Sequence, residues 1–310
     1  LSIVGLVSLT LRTNAKINLF LRVLGKRPDG YHEIESIFHS VGLGDDITIE
    51  PSSSGAVEVT MSLAPGVAGT IPKAADNLAA IAAGVLSRKE GSAKGAKIHI
   101  TKRIPIAAGL GGGSGNAAGV LVSLNQIWGL GLERSILVEL ASEVGSDVGF
   151  CIEGGTTLAL GRGERLTHLA APATMWFVLG ISNQPLLTKD VYGAWERTGA
   201  SAGRRTSRTE TGAPMTLALG AGDVPGVAML LHNELEPAAF ALRPDLEKQK
   251  AIMTEAGALG ACLSGSGPTI FGVCEDEAAA AAVASRVQDA FDRTEVVASR
   301  PQCVELPSGS

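Results

Sequence analysis

The chain has 310 residues, of which 45% are hydrophobic and 18% charged, and its formal net charge is −5. That length buries one large core or two moderate ones, and the acidic balance excludes a surface built to track nucleic-acid phosphates. Aromatic residues make up only 4%, too few for base-stacking platforms.

The four cysteines, Cys151, Cys262, Cys274 and Cys303, show no C-x-x-C spacing and no histidine in zinc-ligand register. They are expected as buried free thiols in a reducing compartment. Leu1 to Leu9 is apolar but lacks the basic start and cleavage site of a signal peptide. No apolar run reaches the roughly 18 residues of a membrane-spanning helix. The expectation is a cytoplasmic protein that binds neither membrane nor nucleic acid.

In chain order, residues 6–24 read as extended, and Arg27-Pro28-Asp29-Gly30 is turn chemistry. Tyr31 to Val41, Ile47 to Glu50 and Ala56 to Leu63 are expected as three strands, with Asp45-Asp46 opening the second. Asp76-Asn77 predicts a cap for a helix from Leu78 to Ser87. Lys97 to Thr101 alternates like a strand. It runs into Pro105 to Ala118, where five glycines fall within seven residues. A helix pattern follows at once, with Ala117, Val120, Leu121, Leu124, Ile127 and Trp128 on one face. Ser135 to Val144 predicts a shorter helix, and Cys151 to Leu160 strands about Gly154-Gly155. Beyond residue 168 the pattern restarts. A buried strand is expected at Met175 to Ile181 and a helix at Thr188 to Trp195, capped by Thr188. Residues 199–214 read as a mobile loop, and two or three helices follow between Met215 and Ala256. A second glycine turn lies in Cys262 to Val273, then an Ala-rich helix from Asp276 to Phe291, a last strand from Thr294 to Ser299, and a disordered tail from Pro307.

Strand, glycine run, helix is the order that presents bare backbone N–H groups beside a positive helix end, where a phosphate binds. The plain alternative is a tight turn, for which one or two glycines suffice. No Gly-Lys-Ser/Thr is present, so this is not a Walker A loop, and a dinucleotide fingerprint fits only in relaxed form. Ser114 suits either a phosphate or Mg²⁺ contact or the N-cap of the helix. A side chain at Gly111 is expected to intrude on the phosphates. Strand alternation puts Lys16, Asn18 and Phe20 on one face and Ile17, Leu19 and Leu21 on the other, so Lys16 and Asn18 point the same way. Asp147, after Gly145-Ser146, reads as a turn or cap aspartate, or as a carboxylate that accepts a hydroxyl proton.

Pro105 to Ala118 resembles the phosphate loop of the GHMP kinases, the family of galactokinase and of homoserine, mevalonate and phosphomevalonate kinases. Three further stretches narrow the resemblance: Ala15-Lys16-Ile17-Asn18-Leu19-Phe20-Leu21, Arg27 to His32, and Gly145-Ser146-Asp147-Val148. They are similar to the branch that acts on a cytidine-diphosphate-linked methylerythritol.

The resemblance implies an α/β (α+β) fold of two domains, 1–168 and 169–310, with nucleotide and substrate in the cleft between them. It implies ATP-dependent phosphorylation of the 2-hydroxyl of 4-(cytidine 5'-diphospho)-2-C-methyl-D-erythritol, a step in isoprenoid precursor biosynthesis, with ATP and Mg²⁺ as cofactors. ATP would be held by Pro105, Ile106, Ala107, Ala108, Gly109, Leu110, Gly111, Gly112, Gly113, Ser114 and Gly115. Lys16 and Asp147 match the catalytic pair. Tyr31 and His32 match the residues that recognise cytosine, and Asn18, Lys102 and Thr188 align with the substrate side. Ser264 to Pro268 resembles a third family motif, with a tight strand approach as its plain alternative. Asn14 and Gly149 stand where the family usually has proline, and neither change removes a functional side chain.

Three other functions compete. A homoserine- or mevalonate-type kinase has no use for Tyr31-His32, since those substrates carry no cytosine. A non-catalytic nucleotide-binding protein has no use for Lys16 and Asp147. A dehydrogenase would need a strand-ending acid about 20 residues beyond the glycine run, where Trp128-Gly129 ends a helix instead.

Overall fold

The computed structural model describes residues 8–90, 94–172, 174–198 and 211–306. It opens on two long antiparallel strands, β1 (Leu9–Lys26) and β2 (His32–Ser52). The turn at Arg27 to Gly30 joins them: Arg27 N donates to the Tyr31 carbonyl at 2.7 Å, and Gly30 takes φ 86°. The expected break at Asp45-Asp46 is absent. β2 runs through it, and a bulge absorbs the irregularity, since Asn14 pairs with Gly44 but Ala15 with Val41. A second bulge skips Leu19. It shifts the alternation, so Phe20 packs in the apolar cluster of Ile17 and Leu19 rather than beside Lys16.

β3 (Val57–Leu63), α1 (Leu78–Glu90) and β4 (Gly95–Lys102) follow. Asn77 Oδ1 accepts from Ala79 N at 3.0 Å at the start of α1. Next come α2 (Gly112–Ile127), α3 (Arg134–Val144), α4 (Val148–Glu153), β5 (Thr156–Gly161) and β6 (Arg165–His168). α4 corrects the strand expected from Cys151. Its run is buried all round, and a short apolar stretch of that kind has no period to tell helix from strand. Gly154, at φ 70°, ends it.

The remaining elements are β7 (Trp176–Ile181), α5 (Thr188–Arg197), α6 (Ala213–Ala221), α7 (Val224–Met229), β8 (His232–Asn233), α8 (Glu236–Leu242), α9 (Pro244–Glu255), β9 (Gly260–Leu263), β10 (Ile270–Cys274), α10 (Glu277–Val287), β11 (Arg293–Ala298) and β12 (Val304–Glu305). Four helices replace the expected two or three before residue 256. Pro225, Pro237 and Pro244 each open a new one, as proline does at a first helical turn. Most of the loop expected at 199–214, and the tail from Pro307, lie outside the described residues.

The first sheet follows the path β12-β1-β2-β4-β3, with β5 and β6 continuing from β2 and β8 lying parallel to β1. The second is antiparallel, β11-β7-β10-β9. The chain passes from one sheet to the other between β6 and β7, yet β8 and β12 return to the first. Leu11, Ile98, Ile100, Leu121 and Phe150 fill the core between the first sheet and α1 to α4. A second cluster joins the sheets, with Ile17 and Leu19 of β1 packing with Phe177 of β7 and Phe271 of β10. Both glycine turns are held at that junction. All four cysteines are free and buried.

Candidate active site

Between the sheets lies a cleft of about 1010 Å³. Lys16, carried in by β1, lines it and is itself buried. A buried ammonium needs partners. Lys16 Nζ donates to Asn18 Oδ1 at 2.8 Å, Asn18 Nδ2 donates to Ser36 Oγ at 2.8 Å, and Ser36 Oγ donates to the Phe20 carbonyl at 2.8 Å. The expected common orientation of Lys16 and Asn18 is therefore present, fixed by a relay anchored on the backbone. Lys16 Nζ also stands 3.7 Å from Asp147 Oδ2 and 5.3 Å from the centre of the Phe38 ring.

Asp147 precedes α4, but its side chain accepts no hydrogen bond from that helix. The cap reading thus fails, and the carboxylate, 31% exposed, turns to the cleft. The separation of 131 positions between the two partners hid this pair from any spacing argument. The sheet brings them together.

The glycine run lies against the lysine. Lys16 N donates to the Leu110 carbonyl at 2.9 Å, which ties β1 to the loop. Helix α2 begins inside the run, at Gly112, with Gly111 at φ 69° as its first flanking residue. Ser114 is therefore in the first turn of α2 and is not its N-cap. Gly112 and Gly115 are buried, Gly113 is exposed, and Gly111 and Ser114 are half-buried. Pro105, Ile106, Ala107, Ala108, Gly109, Leu110, Gly111, Gly112, Gly113 and Ser114 line the cleft. Gly115 packs instead toward the backbone of Asn14. Ala107 holds φ 59°, an uncommon conformation for a residue with a Cβ. The second glycine turn closes on the first: Ser264 Oγ donates to the Gly109 carbonyl at 3.0 Å, and a Cβ on Gly265 would stand 3.1 Å from Lys16 Nζ. The plain strand-approach reading of Ser264 to Pro268 is therefore too small, since Gly265 and Ser266 line the cleft.

At the far end sit Tyr31 and His32. Tyr31 is 52% exposed, and the Arg162 guanidinium lies 4.7 Å from its ring centre. The His32 ring lies against Tyr192 at 4.5 Å between centroids, tilted by 32°, and meets Trp195 edge-on at 5.7 Å. His32 Nε2 is 3.0 Å from Glu196 Oε1, off the line of a straight hydrogen bond. Burial pulls the His32 pKa below its ordinary value, and Glu196 opposes that pull only in part. Thr188 opens α5 without capping it, and its Oγ1 lies 2.9 Å from Ser266 Oγ. Lys102 lies on the loop side, where its ammonium bonds the Asp45 carboxylate and Asn116 Oδ1.

Several lining residues escape a sequence-only search. Tyr192 and Glu196 follow Thr188 at i+4 and i+8, so the spacing that puts them on its face was available. Arg162, at a hairpin tip, carries no such signal.

The arrangement offers a phosphate cradle, a lysine–carboxylate pair and an aromatic platform in one cleft, and known proteins share its sequence and shape. Residues 77–155 match the model for the GHMP kinases N terminal domain and residues 215–293 the model for the GHMP kinases C terminal domain. A 4-diphosphocytidyl-2-C-methyl-D-erythritol kinase of Mycolicibacterium smegmatis is 40% identical over 308 residues, 98% of this chain and 94% of that protein. The chain belongs to the GHMP kinase family. A kinase of the same name from Shouchella clausii is 41% identical over 268 residues, covering 86% of each chain. A crystal structure of 4-(cytidine 5'-diphospho)-2C-methyl-D-erythritol kinase superposes with a TM-score of 0.72 at 30% identity, over 94% of this chain and 98% of that one. A homoserine kinase from Cytophaga hutchinsonii, at 22% identity and a TM-score of 0.76, shares the fold. This GHMP chain is thus a two-domain kinase, a phosphotransferase acting on an alcohol with ATP as donor. Among the described residues no helix is long and apolar enough to cross a membrane.

Proposed function

We propose that this kinase phosphorylates the 2-hydroxyl of 4-(cytidine 5'-diphospho)-2-C-methyl-D-erythritol, in the cytoplasm and on the route to isoprenoid precursors. The observation that carries this is the placement of Tyr31 and His32 in the same cleft as the Lys16–Asp147 pair. The names of relatives about 40% identical over nearly the whole chain point the same way.

Asp147 is the acceptor for the hydroxyl proton, because its oxygens face the cleft with no helix N–H to satisfy. Lys16 orients that carboxylate and sets a positive charge where negative charge moves during transfer. The glycine loop and the first turn of α2 receive the phosphates through backbone N–H groups. Thr188 and Asn18 face the middle of the substrate, and the aromatic end binds its cytosine.

Mg²⁺ fits this site in the manner usual for kinases, with few protein ligands and several phosphate oxygens. Ser114, whose hydroxyl is free of an N-cap role, would hold it. When bound, the ion neutralises charge on the transferring phosphoryl group. Among the described residues no group of three or more metal-ligating side chains competes for it.

The test is kcat/KM for cytidylated, uridylated and free methylerythritol, with homoserine and mevalonate alongside. Remote binding energy raises kcat as well as lowering KM. The cytidylated alcohol is therefore expected to lead by one to several orders of magnitude, since each unpaired polar group in a closed pocket costs about 1–3 kcal/mol. Tyr31→Ala is expected to erode that lead and leave ATP affinity intact. A win for homoserine or mevalonate refutes the named substrate. ATP binding without turnover of any of the five refutes the kinase assignment.

A further inference from the structure

Asp45 plays no part in the site described above, yet it is the most heavily engaged carboxylate next to it. It is fully buried, in β2, beneath the glycine loop. Oδ1 accepts from Arg103 N at 2.7 Å and from Ile104 N at 2.9 Å, the two residues before the loop begins at Pro105. Oδ2 accepts from Asn116 Nδ2 at 2.8 Å, and Asn116 directly follows the loop's last glycine. Oδ2 also takes the Lys102 ammonium. Asn116 Oδ1 accepts from Lys102 Nζ at 3.0 Å, and Asn116 Nδ2 donates to Thr13 Oγ1 at 3.0 Å. One carboxylate thus grips both ends of residues 105–115.

We propose that Asp45 is the positioning residue of the phosphate cradle: it staples the two ends of the glycine loop and holds the Lys102 ammonium beneath the first turn of α2. The inference rests on the loop's role as the ATP site. A run of glycines has the largest conformational entropy to lose. A cradle that must meet phosphates with several N–H groups at once therefore gains from ends fixed beforehand. The ammonium's place is narrow. A Cβ on Gly112 would stand 2.9 Å from Lys102 Nζ, so the ammonium lies directly under the helix N-terminus, paired there with Asp45. Burial pulls the Lys102 pKa down, and the Asp45 carboxylate works against that pull. Asp46, next in sequence, does none of this. It pairs with Arg103 at the surface, through Nε at 2.9 Å and Nη2 at 2.8 Å.

The experiment is ATP binding by calorimetry, with steady-state kinetics, on the full chain and two variants. Asp45→Asn keeps an oxygen for the Arg103 and Ile104 N–H groups, but sets an amide donor against the Lys102 and Asn116 donors. It is expected to weaken ATP about 10- to 100-fold, the range for a small misplacement of a binding group, while kcat at saturating ATP and KM for the alcohol stay within about threefold. A merely structural Asp45 would lower the active fraction, and with it kcat, at unchanged ATP affinity. Asn116→Ala removes one side of the staple in a helix that favours alanine, and is expected to cost about 3- to 10-fold in ATP affinity. It decides the matter if Asp45→Asn does not fold. Wild-type ATP affinity in the folded variants overturns the proposal and leaves the ATP site standing. Absence of ATP binding by the unmodified chain overturns the ATP site, and the proposal with it.

Discussion

Gly111 separates two accounts of the glycine loop, and the structure sets the expected numbers. A side chain there was expected to collide with phosphates. In the fold its Cβ would meet the lysine, reaching 2.8 Å from Lys16 Cγ and 3.3 Å from Lys16 Cε. Lys16 cannot step back, because its backbone N is bonded to the Leu110 carbonyl. Gly111→Ala thus carries two costs. Holding alanine at φ 69° destabilises by roughly 1–2 kcal/mol, a fall in Tm of about 1.5–3 °C for a chain of this length. The methyl also pushes the ammonium off Asn18 and Asp147, and a shift of that size in a reacting site costs on the order of 10–100-fold in kcat. ATP affinity is expected to hold within about threefold. Gly113→Ala is the counterpart. Its φ is not positive and its Cβ would meet only Leu78 Cδ1 at 3.6 Å, so the fold tolerates it. It is exposed on the first turn of α2 where phosphates would approach, and it is expected to weaken ATP while kcat persists. The assays are thermal unfolding, calorimetry with ATP, and kcat at saturating substrates. If Gly111→Ala loses ATP affinity and keeps kcat, the phosphate-collision account was right and the Lys16 account wrong.

Much of the site was legible because it is written in local chemistry. The glycine run, Lys16 with Asn18, and Tyr31-His32 each announce themselves within seven residues or fewer. Alternation along β1 correctly aligned Lys16 with Asn18 and failed from Phe20 on, where a bulge that no periodicity encodes flips the phase, so that Phe20 joins Ile17 and Leu19 while Leu21 leaves them. α4 was unreadable for a related reason: a helix of 6 residues of which all but Glu153 are buried has no polar face to set its period. What the sequence could not express is approach between distant segments. Lys16 reaches Asp147 because β2 pairs with both β1 and β5, which brings the α4 end of the chain back to β1. Asp45 reaches residues 103, 104 and 116 through the β2–β4 pairing. Reading Asp45-Asp46 as a strand opener was reasonable for two adjacent acids, and only the pleat reveals that one turns inward and the other out.

Three further outcomes are expected. Asp147→Asn keeps size but cannot take a proton, so kcat should fall roughly 10²–10⁴-fold with ATP affinity unchanged; a loss of only a few-fold assigns the carboxylate to orientation, and normal turnover removes it from the mechanism. Lys16→Met leaves Asn18 Oδ1 without its buried donor, so kcat should collapse, and the fold should lose about 1–3 kcal/mol in chemical denaturation; wild-type turnover by this variant removes the lysine from catalysis. His39 governs stability rather than turnover. Its ring is fully buried between Thr156 Oγ1 at 2.7 Å and Ser299 Oγ at 2.8 Å, with the Phe177 ring 5.4 Å away. Burial takes its pKa from 6.5 down to about 4. The unfolded chain therefore takes up a proton near pH 6.5, while the folded chain refuses it until about pH 4. Between those values the unfolded state holds more protons, so stability falls as pH falls, by up to about 1.4 kcal/mol per pH unit. Above pH 6.5 both states carry a neutral ring and His39 contributes no slope. His39→Gln keeps a polar side chain at the site but cannot titrate. Denaturation free energies for both proteins from pH 7.5 to 4.5 should converge on the acid side, with wild type losing its advantage below pH 6.5. A constant difference across that range would show that the buried imidazole does not couple folding to protonation.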